Sequence, residues 1–149
     1  MPLPAATSTL FATSADEVEA AFYQALRHGD LAQVMACWAD DEEVVCIHPG
    51  GRRLIGYASV RDLFEAFFIN GGMDIQPERV HKMVFMSTAI HSVLERVTAQ
   101  GPNGEQRQAL VMATNVYHHT AQGWRMVLHH ASGANPDDDV HTPFNSTLH

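Results

Sequence analysis

Ten histidines in an acidic chain of 149 residues, net charge −8, are the first groups whose chemistry asks for a place. His48 ends the apolar run Val44-Val45-Cys46-Ile47 and precedes the turn Pro49-Gly50-Gly51. An imidazole where a strand leaves the core could act as a general base near neutral pH. The bland alternative makes His48 a hairpin cap and the preceding acids, Asp40-Asp41-Glu42-Glu43, a solvated helix end. His118-His119 and His129-His130 are adjacent pairs on extended segments, so their side chains point to opposite faces and neither pair can share one ion. One histidine from each of several strands, His48, His91 and His130, could converge as a three-imidazole zinc shell. The expectation is nonetheless no metal and no cofactor, with His118, His119 and His129 on the outer sheet face or a subunit contact and His130 as a hydrogen-bonded pocket wall. Asn115 and Tyr117 share a strand face with Val111 and Ala113. A purely apolar core has no use for an amide, so this face reads as pocket lining.

Helices come first in the chain. Ser14-Ala15-Asp16-Glu17 has the form of a capping box, and Val18, Ala21, Phe22, Ala25 and Leu26 make one apolar stripe ended by Gly29. Asp30 caps a second helix that buries Leu31, Val34, Met35 and Trp38. After the hairpin closed by Leu54-Ile55-Gly56, Ser59 is the expected cap of a third helix carrying Val60, Leu63, Phe64, Phe67 and Phe68, which Asn70-Gly71-Gly72 ends. From Met73 onward the period drops to two. Strands are expected over 74–85, 88–99, 106–118 and 124–131, separated by turns such as Gly101-Pro102-Asn103-Gly104, and they pair as an antiparallel meander. Pro77 is tolerable only near a strand start or at a sheet edge.

A hydrophobic content of 46% suffices for one core, so a single domain over 14–133 is expected, flanked by a flexible tail over 1–13 and a polar, acidic one over 134–149. One lysine and eight arginines against seventeen acids argue against nucleic acid or an anionic membrane surface as partner. Cys37 and Cys46 have the look of reduced core cysteines. No basic leader is seen, and no run reaches the roughly 18 apolar residues of a membrane span, so a cytoplasmic protein is expected.

Three helices followed by long antiparallel strands give an α+β fold: a cone in which the helices pack on a strongly curved, mainly antiparallel sheet whose interior is a pocket. The order and local sequence over about Ala15 to Gly133 resemble the nuclear transport factor 2-like superfamily, which includes SnoaL-like proteins, ketosteroid isomerases and the association domain of calcium/calmodulin-dependent protein kinase II. The resemblance is carried by Ala25-Leu26-Arg27-His28-Gly29-Asp30-Leu31, Trp38-Ala39-Asp40-Asp41, Pro49-Gly50-Gly51 with Leu54-Ile55-Gly56, and Val116-Tyr117-His118 with Gly123-Trp124-Arg125 and His129 to Gly133. It implies a cystatin-like α+β roll. In the isomerases it also implies a carboxylate base and an oxyanion hole built from a tyrosine and a protonated aspartic acid. Here those positions fall on Cys46, with His48 nearby, on Phe22 and on Asn115, so steroid-type isomerisation is not expected. In the kinase association domain Asn115 corresponds to an arginine, and a similar His-x-Ser-Gly matches His130-Ala131-Ser132-Gly133.

Two function classes stay open. One is a binding or assembly domain holding a small ligand of unknown identity in a mostly apolar pocket, lined by Asn115, Tyr117, His130, Trp38, Tyr57 and Phe22. The other is an isomerase, lyase or hydrolase acting on a small carbonyl or carboxylate compound with His48 as general base. Large residues lie on both parities of the last strand, so the outer sheet face also wants cover, and a homodimer through that face is expected.

Overall fold

The computed structural model describes residues 10–135. The tails expected beyond them, over 1–9 and 136–149, lie outside the described residues. Leu10 to Thr13, expected to belong to the loose N-terminal tail, instead dock on the last strand: the Trp124 amide donates to the Ala12 carbonyl at 3.0 Å, and Ala12 is buried.

Helix α1, Ala15–His28, begins where Ser14 Oγ accepts the Glu17 amide at 3.2 Å. The second half of the capping box is displaced by one residue, since the Glu17 carboxylate takes the Thr13 amide at 2.7 Å. Gly29 ends the helix in the left-handed region, φ 65°, where a Cβ would also lie 2.9 Å from the Gly72 nitrogen. Asp30 caps α2, Leu31–Cys37, by accepting the Gln33 amide at 3.0 Å. Strands β1, Val45–Ile47, and β2, Leu54–Ile55, form the expected hairpin.

Helix α3, Tyr57–Phe67, has its N-terminal cap at Gly56, three residues before the expected cap Ser59. The chain turns out of β2 at Gly56, φ 101°, and the Asp41 carbonyl accepts the Tyr57 amide at 3.1 Å, so an unpaired amide of the first turn is satisfied without a side-chain cap. A 3-10 turn, Phe68–Asn70, follows.

Strands β3, Asp74–Val84, β4, Thr88–Gln100, β5, Gln106–Thr120, and β6, Gly123–Gly133, complete a six-stranded sheet ordered β2-β1-β6-β5-β4-β3. All pairings are antiparallel except β1 with β6. Pro77 sits on the edge strand β3, as its missing amide requires. The three helices cover the inner face of the curved sheet, and the α+β cone expected from the sequence is the fold observed. Its inner face carries Ala89, His91, Val93 and Glu95 from β4, then Val111, Ala113, Asn115 and Tyr117 from β5, all buried.

One irregularity decides which histidine faces inward. Val116 pairs with Leu128 but Tyr117 pairs with Met126, so Val127 is an extra residue in β6. Such a bulge switches the side-chain parity along the strand. Met126, His129 and Ala131 therefore face the interior, while His130 is exposed. Among the described residues no helix is long and apolar enough to cross a membrane.

Candidate functional site

Between α1, α3 and the inner sheet face lies an apolar cavity of about 230 Å³. Its walls come from Phe22 and Leu26 of α1, Leu63, Phe64 and Phe67 of α3, and small side chains of β5 and β6. Phe64 and Phe67 of the phenylalanine stripe on α3 thus line the cavity. Among the described residues, three ionisable side chains other than a cysteine reach this space, Glu95, His129 and His48. The cysteine, Cys46, has its thiol pushed up to about 12 by burial and by the Glu95 charge, which leaves it protonated and a poor nucleophile.

Glu95 is 3% exposed and sits at the inner end. Burial raises its carboxyl to about 7, against the restraining effect of Tyr23, whose hydroxyl donates to Oε2 at 2.6 Å; the nearby Glu19 charge raises it further. Tyr23 in turn accepts from the Asn115 amide at 3.0 Å, and His129 Nδ1 meets Asn115 Oδ1 at 2.5 Å. Burial, with lesser contributions from His130 and His48, lowers His129 to about 4, so its ring is neutral at physiological pH. Four side chains from one helix and three strands thereby form one hydrogen-bonded chain, Glu95–Tyr23–Asn115–His129, with its two ends at the cavity.

A second buried network lies beside the first. Tyr117 donates to Glu19 Oε2 at 2.8 Å, and His91 Nδ1 meets the same oxygen at 2.7 Å. Among the described residues His91 Nε2 is buried without a hydrogen-bond partner, 3.9 Å from the Asp16 carboxylate, which Lys82 pairs at 2.8 Å and holds below its ordinary value. Glu19 and Tyr23 are one helical turn apart on α1, so both point at the sheet together.

The residues singled out from sequence distribute over four places. Phe22 and His48 line the cavity; the His48 ring packs edge-on to Phe67 with centroids 5.1 Å apart. Asn115 and Tyr117 face inward as expected, but behind the cavity wall rather than on it. His130, expected as pocket wall, is on the outer face, and His129 takes the inner place because of the Val127 bulge. Trp38 and Tyr57 belong to a separate open cleft near Met35, Asp40 and Arg125. His48, His91 and His130 do not converge: His91 is bound to Glu19 and His130 points away.

Glu95, Tyr23, Glu19 and His129 were missed as site residues. The available signal was polar residues at inward-facing positions: Glu95 lies in the same alternation as His91 and Val93, and Glu19 with Tyr23 flanks the apolar stripe of α1.

Comparison with known proteins agrees with this geometry at the level of fold. The family model for the SnoaL-like domain matches residues 16–136. Comparison with curated proteins finds no match. Among solved structures, a protein from Thiobacillus denitrificans provisionally named a calcium/calmodulin-dependent protein kinase type II association domain is 37% identical, over 86% of this chain and 100% of its own, with a TM-score of 0.74. A Streptomyces avermitilis protein of the NTF2-like family, provisionally named a dehydratase, is 29% identical over 80% of this chain and 93% of its own, with a TM-score of 0.72. An NTF2-like protein with a cystatin-like fold from Novosphingobium aromaticivorans, 16% identical over 82% of this chain and 80% of its own with a TM-score of 0.68, shares the fold. With the matched region running from the first turn of α1 past the end of β6, the chain belongs to the SnoaL-like family within the nuclear transport factor 2-like superfamily.

Proposed function

We propose that this protein is an acid–base enzyme of the isomerase or lyase kind, acting on a compact, mostly apolar small molecule held in the cavity, with Glu95 as the group that takes and returns a proton. The observation that carries this reading is a carboxyl raised to about 7 at the inner end of an apolar cavity. Near neutral pH both its forms are populated, which is what proton transfer in both directions requires. In the step envisaged, Glu95 takes a proton from a carbon beside a carbonyl and the electron pair moves toward the carbonyl oxygen. The proton then returns at another carbon, or a hydroxide leaves from the neighbouring one. His48, which also lines the cavity, is the donor candidate for the oxygen rather than the base expected from sequence. A cavity of about 230 Å³ is below the roughly 300–1,000 Å³ of drug-sized sites, so the substrate is small.

The test is deuterium uptake at carbon in ²H₂O, followed by proton NMR over a panel of small cyclic ketones and β-hydroxy ketones. Wild-type protein should accelerate exchange on at least one member, and Glu95→Gln should slow it about 100-fold or more. Absence of acceleration across the panel, or equal rates in Glu95→Gln, overturns the enzyme reading.

A binding or association domain without chemistry is the second reading, and the 37% identical relative provisionally named an association domain favours it. Either reading accommodates pairing of two copies. Met83, Val84, Phe85 and Met86 at the β3–β4 turn are exposed, Met86 to 99%, and support a self-association surface that includes this tip beside the outer sheet face. Sedimentation at micromolar concentration decides it, a monomer counting against it.

A further inference from the structure

With Glu95 ionised, the hydrogen-bonded chain behind the cavity has one direction, and that direction limits what the cavity can hold. An ionised Glu95 can only accept, so the hydrogen of Tyr23 Oη is committed to Oε2. A phenol has one hydrogen. Tyr23 Oη must therefore accept from Asn115, which turns the amide nitrogen toward it and the amide oxygen toward His129. An amide oxygen only accepts, so His129 Nδ1 bears the hydrogen of the neutral ring. Its Nε2 is then a lone pair. At the polar end of the cavity the groups left for a ligand are consequently two acceptors, His129 Nε2 and Glu95 Oε1; Tyr23 has no donor to spare, and Asn115, whose second amide hydrogen is uncommitted, does not line the cavity.

Among the described residues lining the cavity there is no lysine or arginine. An anionic ligand would meet an acceptor nitrogen and a carboxylate with no fixed positive charge to offset them. A bare ether or ketone oxygen would leave the His129 lone pair buried and unpaired. A hydroxyl can donate to Nε2 while accepting from Glu95 in its protonated form, or donate to either acceptor when Glu95 is ionised.

We propose that the inner end of this cavity is a receptor for a hydroxyl group on a neutral, compact, mostly apolar ligand, held by His129 Nε2 and Glu95 Oε1. This deepens the enzyme reading by naming a substrate class, hydroxyl-bearing neutral molecules, and it rests on Glu95 and its cavity as that reading does. It makes His129 a specificity residue.

Two measurements test it on the intact protein. Ring ¹⁵N NMR of His129 at about pH 8.5, with Glu95 ionised, should show Nδ1 protonated and Nε2 bare; a protonated Nε2 overturns the proposal whatever any variant does. NMR titration with benzyl alcohol, benzyl methyl ether and benzoate should give the alcohol the tightest binding, by roughly three- to tenfold over the ether, the range of one neutral hydrogen bond. His129→Phe should bring alcohol and ether to within about twofold of each other. Equal binding of alcohol and ether by the wild type, or a preference for benzoate, overturns it. Loss of carbon exchange in Glu95→Gln alongside equal alcohol and ether binding would sink this proposal alone and leave the acid–base reading standing. Hydroxyl preference with no exchange on any compound would do the reverse.

Discussion

Replacing Glu95 by glutamine removes one ionisation and little else, because the glutamine carbonyl can still accept from Tyr23. Burial holds the native carboxyl near 7, against 4.5 for the free group. Between those values the folded protein keeps a proton that the unfolded chain has released. Stability from this group is thus fully present below about 4.5 and is lost as pH rises through about 7. At 1.36 kcal/mol for each tenfold change in proton concentration the loss is about 3 kcal/mol. His129 works in the opposite sense. Lowered from 6.5 to about 4, it contributes stability that is present above 6.5 and lost as pH falls through about 4. The two slopes are similar in size and opposite in sign, so in the wild type they hide each other over most of the range from 4.5 to 6.5. The substitution unmasks them. Urea denaturation from pH 4 to 8, followed by the fluorescence of Trp38 and Trp124, gives the stability of variant and wild type at each pH. The difference between them should grow by about 3 kcal/mol in favour of Glu95→Gln as pH rises from 4 to 8. A difference flat to within about 0.5 kcal/mol would refute the raised carboxyl, and with it the poised acid–base group on which the enzyme reading depends.

The other expectations are briefer. His129→Phe leaves only the Glu95 slope, so its stability relative to wild type should worsen by about 3 kcal/mol from pH 4 to 6.5 in the same titration. Asn115→Leu cuts the hydrogen-bonded chain at its middle and strands the His129 Nδ1 hydrogen; since Asn115 stands behind the cavity wall, the cost should appear as about 1–3 kcal/mol of stability in urea denaturation rather than as lost ligand contact. At Gly72 a Cβ would lie 1.9 Å from the Arg27 carbonyl oxygen, whereas at Gly133 nothing stands within 4 Å. Gly72→Ala should therefore lower the denaturation midpoint by the equivalent of about 1–3 kcal/mol, and Gly133→Ala should leave it within about 0.5 kcal/mol of wild type. Gly51→Ala would put a Cβ 2.3 Å from the His48 ring and must turn that ring away, so a donor role for His48 predicts slower carbon exchange with stability little changed.

The architecture was legible because its signals are local. Ser14 and Asp30 announce their helices by cap chemistry, and the change of period after Met73 announces the sheet. Ser59 misled because a backbone carbonyl, Asp41, does the work of a side-chain cap, and nothing in the local sequence says which distant carbonyl will be within reach. The site was less legible for a related reason. An alternating strand states that two faces exist, and it does not state which is inside. On β5 the small and apolar partners of Asn115 and Tyr117 settled the face correctly.

On β6 no rule of alternation could have worked. Reading inward from Met126 by twos selects Leu128 and His130, and the observed inner residues are His129 and Ala131. The extra residue Val127 is silent in sequence, since a valine bulge has no signature of the kind that a glycine in the left-handed region supplies. Its consequence is nonetheless chemical. Without the bulge the inward position would fall one residue away from His129, Asn115 Oδ1 would lose its partner, and the chain that fixes the direction of every hydrogen from His129 to Glu95 would have no fixed end. A one-residue irregularity in strand pairing therefore sets which imidazole meets the ligand and, through Asn115 and Tyr23, how that imidazole is protonated when it does.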